Sequence, residues 1–155
     1  MKITICGSMV FYKEMEEIKA KIEAGGHEVQ IPLLDKELPP ELGGGRTLAF
    51  GAHIEERGGT DAFPAGDPIW DFKAAAINDH FSKVEWSDAI LVVNHNKRGI
   101  EGYIGGNTLM EMALAFYLKK PIYMLNEVSG ELLYKQEVMG MKPVLLNGDM
   151  SKIKK

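Results

Sequence analysis

A single carboxylate, Glu111, sits near the head of the apolar run in GYIGGNTLMEMALAFYLKKPIYML, just behind Gly105, Gly106, Asn107 and Thr108. Two uses compete for it. Thr108 and Glu111 have the S/T-x-x-E spacing of a capping box, in which the hydroxyl takes an amide of the first turn and the carboxylate reaches back to the amide of the cap. The other use is chemical. The glycines leave room for a ligand to approach the backbone, and a carboxylate near a helix N-terminus is kept ionised by the helix dipole. An ionised carboxylate facing a crevice is the group needed for attack on an anomeric carbon. The motif alone leaves both open.

Other residues with chemistry are fewer. His80 shares a helical stripe with Ile77 and Val84 and so points inward, either as a core histidine or as a donor of a proton or hydrogen bond. Asp79 lies on the neighbouring stripe with Phe72 and Ala76. Cys6 reads as a buried packing thiol. His95 and Asn96 either line a site or make a turn. ELGGGRTLAF lacks the strand-GxxxxGK-helix context of a phosphate loop. HIEER is not HExxH, and no His/Cys group has metal-ligand spacing, so neither a metal nor an organic cofactor is expected.

Strands and helices must bring these residues together. KITIC reads as a buried strand stopping at Gly7-Ser8. Phe11, Met15, Ile18 and Ile22 mark one face of a helix that ends at Gly25-Gly26. HEVQIP is a short second strand. From Asp35 to Asp67 the chain is glycine-rich without sustained periodicity, which suggests a long mobile loop with one helical turn at most, of the kind that often serves as a lid. Asp67-Pro68 opens a helix reaching to about Trp86. DAILVVN is a third strand, apolar throughout like one covered on both faces. A helix from about Thr108 to Lys119, a strand PIYML, a helix SGELLYKQEV and a strand KPVLL follow. Trp70, Phe72, Phe81 and Trp86 on one helix exceed what a single core stripe ordinarily uses, so part of that surface is expected against a partner copy.

The alternation predicts a three-layer, flavodoxin-like α/β fold around a five-stranded parallel sheet. In the order 2-1-3-4-5, ligands bind beyond the carboxyl ends of the strands, where strand order reverses. Gly7 and Ser8, Asn94, the turn Gly105-Gly106-Asn107-Thr108 and Asn126 converge there and form the expected binding set.

Size and charge narrow the classes. The 155 residues suit one domain carrying an insertion at about 35–67. A formal charge of −4 and no long basic run disfavour nucleic acid as partner. The single cysteine fits a reducing cytoplasm, MKITICGSMVF turns polar too quickly for a secretory leader, and no run is long enough to span a membrane.

Taken together, KITICGSM, WSDAILVVN and GGNTLMEMALAFYLKKPIYML resemble the nucleoside 2-deoxyribosyltransferase-like superfamily, which includes 2′-deoxynucleoside 5′-monophosphate N-glycosidases. The resemblance covers most of the chain outside the glycine-rich segment and the C-terminal stretch. It implies a nucleoside or nucleotide as ligand, Glu111 as nucleophile on C1′ of the sugar, and cleavage or transfer of the N-glycosidic bond. It also implies a base-handling acid two turns ahead of Asp88, a place that falls on Asp79 or His80, and a homo-oligomer with sites shared between copies. One departure is plain: members that cleave nucleotides carry an Arg soon after Gly-Ser, whereas Met9-Val10-Phe11 follow Ser8 here. Two further readings stand beside it. One is a non-catalytic nucleotide sensor on the same fold. The other is a nucleotide phosphoribohydrolase, whose Gly-Gly-x-Gly-Thr-x-x-Glu turn GGNTLMEM resembles except at Asn107.

Overall fold

Successive residues of a strand face opposite sides of a sheet, and here that alternation divides the core into two layers. Ile3, Ile5, Ala89, Leu91, Val93, Tyr123 and Leu125 bury one face against Phe11, Met15, Ile18 and Ile22. Cys6, Ile90, Val92, Ile122 and Met124 bury the other against Val84, Met112, Ala115 and Val138. The computed structural model from which these contacts come describes residues 1–32 and 50–154. The strands are β1 (Lys2–Gly7), β2 (Glu28–Gln30), β3 (Ala89–Val93), β4 (Ile122–Met124) and β5 (Val144–Leu145). All pairs are parallel, in the order β2-β1-β3-β4-β5, as the alternation of elements predicts. Helices flank the sheet on both faces: α1 (Tyr12–Ala24), α3 (Ile69–Trp86), α4 (Gly106–Tyr117) and α5 (Lys135–Gly140), with α2 (Phe50–Glu56) in the segment before α3. No helix among the described residues is long and apolar enough to cross a membrane.

The helix ends follow local chemistry. Helix α1 closes at Gly25, and Gly26 takes the left-handed backbone (φ 82°) that a side chain would resist. The Asp67 carboxylate accepts from the Ile69 amide at 2.9 Å, as an N-cap should. The far end of α3 is held by Lys120, whose ammonium donates to the carbonyls of Val84, Glu85 and Ser87 at 2.9, 2.5 and 2.5 Å. A cation there also suits the negative end of the helix dipole. The Thr4 hydroxyl donates to the Lys83 carbonyl at 2.7 Å and so ties this last part of α3 to β1.

Two expectations change. The helix expected over SGELLYKQEV is confined to Lys135–Gly140, because Ser129 draws the preceding residues into a turn: its hydroxyl oxygen accepts from the Glu131 amide at 3.1 Å. The segment over 35–67, expected as a long loop with one helical turn, contains α2 and a 3-10 turn at Thr60–Ala62.

By contacts the chain divides into two compact units, Met1–Pro32 with His80–Lys155, and Leu33–Asp79. The second has its own small core of Ile54, Phe63 and Ile69, with Trp70 and Phe72 packed on it. Trp70 donates its indole N–H to the Pro64 carbonyl at 2.9 Å and meets Phe63 edge-on. In the first unit the Lys2 ammonium lies 5.1 Å from the centre of the Trp86 ring. Three of the four rings offered for a partner copy thus have contacts within the chain. The GGG run and the part of the expected lid over 35–49 lie outside the described residues.

Candidate functional site

The carboxyl ends of β1 and β3 mark the point where strand order reverses, and the first chemically distinctive side chain there is the one read as packing. Cys6, the penultimate residue of β1, is fully buried on the face covered by α3 and α4. Its thiol lies beside the Glu111 carboxylate. From α3, the His80 Nε2 lies 3.7 Å from the Glu111 Oε1. One ligand-type atom from each of Cys6, His80 and Glu111 falls within 4.8 Å of the other two, and all three residues are buried.

The structure decides against the capping box. Helix α4 begins at Gly106, with Gly105 in an extended conformation as its N-cap and no side-chain capping bond. The Leu109 amide closes the first turn on the Gly105 carbonyl at 2.9 Å. Thr108 therefore lies within the first turn instead of ahead of it, and Glu111 falls in the second turn, where no orphan amide needs it. A glycine N-cap leaves no side-chain signature, which is why the Thr-x-x-Glu spacing misled. Gly106 itself is exposed, has no left-handed backbone, and has no atom within 4 Å of where a Cβ would sit.

Burial foremost, then the charge of Glu111, push the Cys6 thiol well above its ordinary value of 9.0. The sign of the resulting pH effect is fixed. A thiol that holds its proton more tightly in the native state contributes stability fully below the unfolded value, and that contribution is lost as pH rises from there toward the native value. The loss can reach about 1.4 kcal/mol per pH unit. Denaturant unfolding at about pH 8 and about pH 10 should therefore show a larger drop for the wild type than for Cys6→Ser. Parallel drops would contradict the assignment. Tyr134, also raised from its ordinary 10.0 by burial and then by Tyr103, is common to both proteins and cancels.

The remaining predicted residues divide into two groups. Asn94 and Asn126 bind each other. The Asn94 amide donates to the carbonyls of Asn126 (2.8 Å) and Gly102 (3.4 Å), and its Oδ1 accepts from the Asn126 N–H at 2.9 Å. The Asn126 side chain returns a bond to the Asn94 carbonyl at 3.1 Å. Asn94 is thus a clamp between strand ends. Ser8 and Gly7 are half-buried at the end of β1, and Asn107 is exposed on α4. Asp79 is half-buried and ends the second unit.

Sequence reasoning missed Lys97. Its ammonium donates to the Ser8 hydroxyl at 2.8 Å and lies 5.2 Å from the centre of the Tyr103 ring, which places a cation beside a turn that lacks a nearby Arg in sequence. His95, two residues before it, meets Phe11 edge-on at 5.3 Å. Only the tertiary fold brings Lys97 to Ser8, so no local signal was present.

No protein-family model, curated protein or solved structure matches the chain. Geometry alone defines a parallel α/β fold with a buried Cys–His–Glu cluster near the carboxyl end of its β1 strand.

Proposed function

We propose that the protein cleaves or transfers the N-glycosidic bond of a nucleoside or nucleoside monophosphate, with Glu111 as nucleophile and His80 as the acid that assists the leaving base. The observation that carries this reading is the His80–Glu111 pair, 3.7 Å apart in a buried setting at the strand-order reversal. A sensor without chemistry would not need an acid beside the carboxylate, and Asp79 and His80 both turned away would have favoured that alternative. The open space at Gly106 supports close approach of a ligand to the start of α4. Lys97 on Ser8 supplies a cation for an anionic substituent of the sugar.

In the first step the Glu111 carboxylate attacks C1′ while the bond from C1′ to the base nitrogen breaks. The electron pair leaves with the base, which takes a proton from the His80 imidazolium. The product is a glycosyl ester of Glu111. Water, or a second base, then attacks C1′ and restores the carboxylate, and the neutral imidazole accepts the proton that the attacking group sheds. Both steps pass through an oxocarbenium-like state that the buried carboxylate stabilises by its charge.

The test is incubation with a panel of ribo- and deoxyribonucleosides and their monophosphates, reading free base by chromatography. Base release is expected for at least one member, and His80→Ala should slow it by about 10²–10⁴-fold. Silence across the whole panel would overturn the glycosidic reading. Full activity in His80→Ala would move the acid elsewhere.

A further inference from the structure

We propose that Cys6, His80 and Glu111 form a binding site for one thiophilic divalent cation of the zinc class. The three donors come from three different elements, β1, α3 and α4, and all are buried with ligand-type atoms within 4.8 Å of one another. A sulfur, a nitrogen and an oxygen donor together select a borderline-soft first-row ion over calcium or magnesium, which prefer oxygen alone. Around a tetrahedral ion with bonds of about 2.0–2.3 Å, such donors stand roughly 3.3–3.8 Å apart. The His80–Glu111 separation of 3.7 Å already lies in that range, so closing the set requires only a small side-chain adjustment by Cys6. Three protein donors also leave a fourth position for water or another small ligand, as in catalytic zinc sites.

Charge favours the same occupant. A dication held by one thiolate, one carboxylate and one neutral imidazole is a neutral assembly, the form of charge that a dry interior tolerates. Binding converts the Cys6 thiol to thiolate and sends its proton to solvent, with no change of oxidation state. The carboxylate that would attack a sugar is then a metal ligand, so cation and substrate compete for Glu111. This last point rests on the glycosidic reading; the cation site does not.

The experiment uses the full chain, stripped of metal with a chelator, and cobalt(II) as probe. One equivalent should give a thiolate-to-cobalt charge-transfer band in the near ultraviolet, and zinc should erase it by displacement. Cys6→Ser should lose the band, and Glu111→Gln and His80→Ala should each weaken cobalt binding at least about tenfold. No band, or equal affinity in all three variants, overturns the site. Circular dichroism establishes that each variant is folded. For any that is not, zinc added to weakly buffered wild-type protein decides the matter: release of at least about one proton per ion, from the Cys6 thiol and from His80 where it is protonated, supports the site and no release overturns it. These readouts need no substrate, so they stand whether or not base is released. In an active preparation, activity lost in step with the cobalt band supports competition, and full activity with the site loaded overturns it.

Discussion

Glu111→Gln should reduce base release by about ten-thousandfold while leaving the protein folded. The amide has the shape of the acid and none of its charge or nucleophilicity, so no glycosyl ester can form. Helix stability offers no counterweight, because Glu111 lies in the second turn of α4 and caps nothing. Its burial makes the expected stability change informative. A carboxylate held in the interior costs desolvation, but here it also faces the His80 imidazolium of the mechanism, so the neutral isostere should lower the melting temperature without unfolding the protein. Kinetics on the best substrate of the panel, read beside a thermal melt, separate the two effects. A Gln variant with more than about a tenth of wild-type kcat would exclude Glu111 as nucleophile.

A second large effect is expected at Gly102→Ala, this time on stability. Gly102 adopts φ 62°, and a Cβ there would run into the Glu127 carbonyl and press on the Val128 Cα at 3.0 Å. The left-handed backbone costs a side chain about 1–2 kcal/mol, and forced contact with backbone that cannot rotate away adds about 1–3 kcal/mol. The sum is a large share of a typical stability of about 5–15 kcal/mol. Gly99→Ala is the internal control. Its φ is also left-handed, at 77°, but nothing lies within 4 Å of its Cβ position, so it should show the conformational cost alone. Urea unfolding of both variants tests the argument, and equal midpoints would refute the steric part. The loss should extend to activity, because Gly102 lies between Lys97 and α4. Its carbonyl also accepts from Asn94, and the neighbouring Glu101 carbonyl accepts from the Ser129 amide.

Much of the scaffold was legible in the sequence because its signals are local. The apolar run AILVV, buried along its whole length, required a strand covered on both faces. Strand–helix alternation then allowed few parallel topologies. The site was legible only in part. Glu111 and His80 were marked by residue type and by an inward stripe, but their meeting depends on tertiary packing, in which the Thr4 and Lys120 bonds tie down the end of α3. Cys6 read as packing because a lone thiol on an apolar strand carries no pattern. Asn94 and Asn126 read as ligand-facing because the end of a strand is where ligands bind, and nothing local announced that they would bind each other. The predicted start of α4 failed for a related reason. A Thr-x-x-Glu pair has the spacing of one helical turn, so it recurs inside helices as readily as at their caps.

The position of β1 has a consequence for how the chain comes into being. The strand lies between β2 and β3, and the Cys6 near its end is covered by residues of α3 and α4. During synthesis β2 arrives soon after β1, but β3 emerges only after the entire second unit has been made, and Glu111 later still. Until then β1 has no β3 to pair with, and the one cysteine of the chain has no α4 to cover it. Long-range parallel pairing is slow to form. The interval therefore exposes the nascent chain to pairing with a neighbour along the edge that β3 later takes and to oxidation at sulfur. Closure of β3 and α4 over β1 ends both hazards in the same event that assembles the cluster.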